Sequence, residues 1–245
     1  MAIAFQFKSN VADVNRRMSN MVARQMPFAI SKALNDTAKS LVAKNKQDMG
    51  RIFDRPVPWT LNAFTYKPAR KYENTVTIRR KDMQRKRHYL EVQNEGGLRG
   101  QTGMERAFQM NLPYGGILQH VTPTKATRLN QYGNMSPGFR NQMMSAMRVS
   151  SDPKMRSPVK GQTRSGGAKY FVPNIDHPLG QGSKAGVYQR MSKGRLRKVL
   201  NFIDRGIAYR PKLRFEERMA LYGSNIYKQR LSASLKYAMA TAKLK

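Results

Sequence analysis

The chain has 245 residues, 40% of them hydrophobic, no cysteine, and 46 Lys and Arg against 14 Asp and Glu, for a formal net charge of +32. Without cysteine there are no disulfides, thiol nucleophiles or cysteine-ligated metal sites. A compact body with so much positive charge repels itself, so a polyanion or an acidic protein surface is expected as its partner.

The length supports a sizeable core, in one large domain or two small ones. The mean hydropathy of −0.67 is polar without being that of a fully disordered chain. No run approaches the roughly 18 apolar residues of a membrane span. The start, MAIAFQFKSN, lacks the apolar core of a secretory leader. A soluble, intracellularly made protein is the expectation.

After an apolar lead (Ile3, Phe5, Phe7), Ser9 or Asn10 can cap a helix in which Val14, Met18, Met21 and Val22 keep helical spacing. Pro27 suits a first turn or a kink. Ile30, Ala33, Leu34, Thr37, Ala38, Leu41 and Val42 carry the stripe on to about Met49, with Lys32, Lys39, Lys44 and Lys46 on the opposite, solvated face. The two prolines of DRPVPWT (54–60) end this helix, and Trp59 and Phe64 are expected as packing anchors.

TVTIRR (75–80) and HYLEVQ (88–93) alternate as a strand pair would. Arg79, Arg80, Lys81, Arg85, Lys86 and Arg87 make the region between them the densest basic patch, a candidate contact for DNA or an acidic partner. From Asn94 to about Ala168, Gly, Ser, Met, Gln, Asn and Pro dominate, with no acid between Glu105 and Asp152. This stretch reads as a long extended arm holding one short helix, SPGFRNQMMSAMRV, capped by Ser136 with Pro137 in its first turn. SSDPKMRSPVKGQTRSGG is the best loop candidate.

KYFV (169–172) reads as a strand, followed by the turn-rich PNIDHPLGQGSKA. A hairpin comes next: Val187–Met191, a tight turn at Ser192-Lys193-Gly194, and Arg195–Ile203. Leu196, Val199, Leu200, Phe202 and Ile203 put apolar groups on both sides of its second strand, as in a sheet interior. The hairpin is therefore expected to be structural, with Lys193, Arg195 and Arg197 at its rim as further contact candidates. Tyr209-Arg210-Pro211 ends the sheet. A closing helix carries Phe215, Met219, Tyr222, Ile226, Leu231 and Leu235, with an interruption expected at Gly223-Ser224-Asn225. The expected fold is α+β: a long N-terminal amphipathic helix and a C-terminal helix packed on a small, mostly antiparallel sheet, with a long extended central arm. Its parts are 1–93, 94–168 and 169–245.

Motifs for chemistry are scarce. His88, His120 and His177 lack metal-ligand spacing. Asp36, Asp48, Asp54 and Glu73 could meet in space, but nothing in their spacing requires it. Asp176-His177 near Ser183 lacks a nucleophile elbow. NEGGLRGQTG and GQGSKAG do not match a phosphate-binding loop. No catalytic, metal or cofactor site is expected, and no enzymatic activity.

The order of these elements resembles the minor tail protein Z-like, tail-completion or head–tail joining proteins of tailed bacteriophages. The resemblance rests on AISKALNDTAKSLVAKNKQDM leading into the Pro-Trp-Thr turn and NAFTYKPAR, then YGNMSPGFRNQMMSAM and KYFVPN. It continues through GVYQRMSKGRLRKVLNFIDRGIAYRPKL to AMATAK. It covers nearly the whole chain in order and contains no catalytic motif. It implies a structural virion protein of the neck or upper tail, made in the bacterial host cytoplasm and present as a homo-oligomeric ring. The implied partners are portal or adaptor, tail terminator or tail tube, and packaged double-stranded DNA, with no membrane and no cofactor. The long arm would wrap a neighbouring subunit, with Tyr132, Phe139, Met143, Met144 and Met147 as its contact residues. The alternative is a basic protein that binds RNA or DNA outside a virion.

Overall fold

A computed structural model describes residues 4–8, 20–81, 89–114, 117–149 and 169–241. Its elements in chain order are β1 (Ala4–Lys8), α1 (Asn20–Ile52), the single turn α2 (Pro58–Leu61), β2 (Phe64–Lys67), β3 (Thr75–Arg80) and α3 (Tyr89–Glu95). There follow β4 (Gly97–Leu98), α4 (Gly103–Asn111), β5 (His120–Pro123), α5 (Pro137–Ala146) and β6 (Tyr170–Phe171). The last are β7 (Gly186–Arg190), β8 (Leu196–Ile203), β9 (Ala208–Tyr209) and α6 (Phe215–Ala240). The fold is α+β, with long helices near both ends, small antiparallel sheets and an extended central region. The chain forms two compact units, Met1–Gly96 with Arg210–Lys245, and Gly97–Tyr209. This division does not follow the expected parts, because the hairpin shares a unit with residues 97–149 and the closing helix returns to the first unit.

In the first unit α1 and α6 run antiparallel. Lys32 lies over Tyr237, Arg230 reaches Ser40, Lys44 lies over Tyr222 and Arg218 meets Asp48, so numbers rise along one helix as they fall along the other. The apolar stripe of α1 is buried as its spacing requires, with Ile30, Leu34 and Leu41 packed with Val76 and Ile78 of β3. The helix passes through Pro27 and ends at Ile52. Ser9, Asn10, Val14 and Met18 lie outside the described residues. α6 is continuous through Gly223-Ser224-Asn225, contrary to expectation, because buried Gly223 sits on its packed face, where a small residue is useful.

β3 is the central strand of its sheet, flanked by β1 and β2, both antiparallel. The strand expected at 88–93 is a correction: Tyr89–Glu95 is a helix, and His88 lies outside the described residues. Both edges of β3 are already taken, and Leu90 and Asn94 are buried four residues apart, a helical spacing. Phe64 is an anchor as expected, buried and stacked on Phe215 at 4.4 Å. Trp59 is not. It is 51% exposed and tilts against Tyr89 at 5.5 Å, because the single turn of α2 buries Thr60 instead.

Asn94 joins the distant halves of this unit. Its Oδ1 accepts the backbone N–H of Phe215 at 2.7 Å, and its Nδ2 donates to Glu216 at 3.0 Å. α6 has no side-chain cap from its own N-cap residue, Arg214, so Asn94 satisfies one of its otherwise unpaired N–H groups from 121 residues upstream. The carbonyl of Gln93 accepts from both Lys212 and Leu213.

The second unit is built on a four-stranded sheet in the order β5-β8-β7-β6, all antiparallel. The expected hairpin is there, with β8 interior to the sheet and Val199 and Leu200 buried in it. Lys193 and Gly194 in its turn both take positive φ, 58° and 69°. Gly186 is required for a different reason: a Cβ there would lie 2.0 Å from the carbonyl oxygen of Leu200.

The central region also supplies core. α5 begins as expected, with Ser136 Oγ accepting from Phe139 N–H and Pro137 in the first turn. Met143 is fully buried with Phe108, Val187 and Leu200, and Phe139, Met144 and Met147 pack against the same cluster. These four side chains pack in this unit's own core, Met143 completely and the other three in part. Positions 139, 143 and 147 fall on one helical face, which packs toward the sheet. Tyr132 is half-buried in the loop before α5.

Candidate functional site

The basic residues fall into two groups, one in each unit. Arg79 and Lys81 are exposed at the end of β3. Arg80 is half-buried, and its Nη1 has no hydrogen-bond partner among the described residues. Arg85, Lys86 and Arg87 lie outside the described residues. In the second unit the hairpin brings Lys193, Arg195 and Arg197 together, all exposed.

The strand register around that hairpin shows more than the charge pattern did. Phe171 pairs with Tyr188, which pairs with Lys198, while Tyr170 pairs with Gln189, which pairs with Arg197. Partners across a sheet share a face, so these rows lie on opposite faces. The guanidinium of Arg190 stacks on the Phe171 ring at 4.1 Å. Nη2 of Arg197 donates to Gln189 Oε1 at 2.7 Å, and Lys198 Nζ donates to the Ser183 carbonyl at 2.7 Å. Burial holds the Lys198 ammonium below the usual lysine range. Arg190 and Phe171 were not among the residues expected as contacts. The signal for them was the basic–aromatic run Tyr188–Arg190, but the ring beneath the guanidinium comes from another strand.

The second unit also holds a buried charged network that no motif announced. Glu105 is 1% exposed and takes hydrogen bonds from Arg99 (2.5 and 3.2 Å), from the Thr102 N–H (2.6 Å) and from the Val121 N–H (2.9 Å). Arg99 also reaches Nδ1 of buried His120 at 3.1 Å. Burial pushes the Glu105 carboxyl up, but the bonds from Arg99, Thr102 and Val121 outweigh it and hold it below the usual range. The legible signal was Thr102-x-x-Glu105, a capping box at the start of α4.

A cleft of about 540 Å³ in the same unit is lined by Tyr114, Ile117, Leu118, Phe202, Asp204 and Arg205, among others. The Tyr114 hydroxyl is held at the Pro173 and Gly180 carbonyls, so that polar group is already used.

The remaining candidates for chemistry do not gather. Asp36 pairs with Lys32, Asp48 with Arg218 and Lys44, and Asp54 with Arg55, while Glu73 accepts from the Arg70 N–H. His177 Nδ1 accepts from Leu179 N–H as the cap of a short 3-10 turn. Among the described residues no three His, Asp or Glu could hold a metal ion, and no helix is long and apolar enough to cross a membrane. The arrangement can present cations at the hairpin end of the sheet. No protein-family model, curated protein or solved structure matches the chain.

Proposed function

We propose that the chain is a structural subunit of a tailed-phage virion, part of the head–tail connector or neck or of the head-proximal end of the tail. It assembles as a ring whose basic surfaces face packaged DNA or acidic neighbours such as portal, adaptor, tail terminator or tail tube. The observation that carries this reading is where the phage-like residues fall. The stretch GVYQRMSKGRLRKVLNFI forms the two inner strands of the second unit's sheet, and SPGFRNQMMSAM forms the capped helix packed near it. A likeness that runs through core elements constrains a fold far more than one confined to surface loops. The net charge of +32 supports the same reading, because a ring beside packaged DNA has a use for it.

The second reading, a nucleic-acid-binding protein outside a virion, is favoured by the exposed cations at the hairpin end. Mass photometry of the purified full chain separates the two. The virion reading expects one discrete closed oligomer, at a multiple of 28.0 kDa, across a wide range of concentration. A monomer at every concentration that binds nucleic acid tightly would favour the second reading.

A further inference from the structure

We propose that the distal end of the β7–β8 hairpin is a phosphate-binding prong that holds duplex DNA without reading its sequence. Five cations converge there. Lys193 and Arg195 sit in and beside the turn, Arg190 and Arg197 lie on the two strands next to it, and Lys169 immediately precedes β6, the edge strand beside β7. The Lys169 carbonyl accepts from the Arg190 N–H at 2.9 Å, which fixes its backbone against the hairpin.

Charge is segregated along this hairpin. Besides buried Glu105, the acids described in the second unit are Asp176 and Asp204. Asp204 follows the far end of β8, about 26 Å of strand from Leu196, and Asp176 follows Ile175, which lines the same cleft as Asp204. That separation is about three times the roughly 8 Å screening length of physiological salt. Among the described residues no carboxylate pairs with Lys193, Arg195 or Arg197.

Two of the cations are held in place. The Arg190 guanidinium lies over Phe171, and Arg197 donates to Gln189 on the opposite face of the sheet. Arginines already positioned lose little freedom on binding a phosphate. Cations on both faces of this end of the sheet suit a partner with phosphates on both sides, as duplex DNA offers across a groove. A single strand is a poorer fit, since it needs bare aromatic faces for its bases. Here Phe171 is covered by Arg190, and Tyr188 is only 7% exposed.

This inference does not need the virion reading, because it rests on the hairpin alone. The test is a fluorescence-anisotropy titration of the full chain with a 24-base-pair duplex of arbitrary sequence, at several salt concentrations. Oligomer mass is read on the same samples, so failure of ring assembly and failure of DNA binding are seen separately. The hairpin variant Arg190→Gln/Lys193→Gln/Arg195→Gln is compared with an equal charge change on exposed lysines of the first unit, Lys39→Gln/Lys228→Gln/Lys236→Gln. The hairpin variant should lower the slope of log affinity against log salt by about 0.9 for each phosphate it no longer neutralises, and weaken binding by on the order of tenfold. The control variant should change both far less. Equal weakening in the two variants would overturn the proposal, since binding would then follow net charge alone. So would a fall in polyglutamate binding as large as the fall in duplex binding, which would mark the hairpin as a docking point for acidic protein.

Discussion

Glu105→Ala should unfold or severely loosen the second unit, at a cost of about 3–5 kcal/mol, while leaving the α1–α6 pair of the first unit intact. The side chain is buried and gathers donors from α4's own cap, from β5 and from Arg99. Removing it leaves a partly buried guanidinium and two backbone N–H groups without an acceptor, which is worse than never having the pair. Against a typical domain stability of about 5–15 kcal/mol, that loss is large. Hydrogen exchange read by mass spectrometry checks it: peptides from 103–111 and 186–203 should lose protection, and those from 30–49 should not. The same carboxylate sets an acid limit. Its folded pKa lies below its unfolded value of about 4.3, so its contribution is complete above that pH and is lost as pH falls through the folded value. Glu105→Gln should lower stability at neutral pH by a smaller amount and flatten that acid-dependent loss.

Gly186→Ala should disrupt the inner strands of the same unit, at about 3 kcal/mol or more. The added methyl would meet the Leu200 carbonyl oxygen at 2.0 Å and Lys198 Cε at 2.5 Å. The lysine end can swing away, but the carbonyl belongs to β8, which is hydrogen-bonded on both sides. Overpacking against movable side chains costs about 1–3 kcal/mol, and rigid backbone puts this case at or above the top of that range. The position adjoins the register shift between Val187 and Tyr188, where the ladder is already irregular. Thermal unfolding of the variant should show a transition at least several degrees lower. An unchanged transition would mean that the β7–β8 pairing is looser than described.

Much of the fold was legible where one physical pattern dominated. The stripe from Ile30 to Met49 allows only a helix with one buried face. The hairpin announced itself through a strand apolar on both sides with Gly194 in its turn. The misreading at 88–93 shows the limit of such patterns. HYLEVQ has strand-like composition, but β2 and β1 already fill both sides of β3, and no local signal reveals that a sheet is full. The polar composition of 94–149 hid its contribution to the core. Phe108, Tyr114, Leu118 and Met143 are spread thinly along the chain and converge only when α4, α5 and the sheet assemble.

The candidate site was half legible for a related reason. Lys193, Arg195 and Arg197 stand out as charges in any reading of the sequence. That Arg190 is held on a ring needs the pairing of β6 with β7, which sets Phe171 opposite Tyr188 across seventeen residues of chain. The capping box that places Glu105 was visible as a spacing. Its junction with His120 and Arg99 was not, because that depends on where β5 lies.

The most direct test of the proposed role is electron cryo-microscopy of tailed particles purified from cells that carry this chain in its genomic setting. The account predicts several copies closed in a ring at the head–tail junction or the upper end of the tail. Complete, infectious particles in which no density accommodates the chain would contradict it.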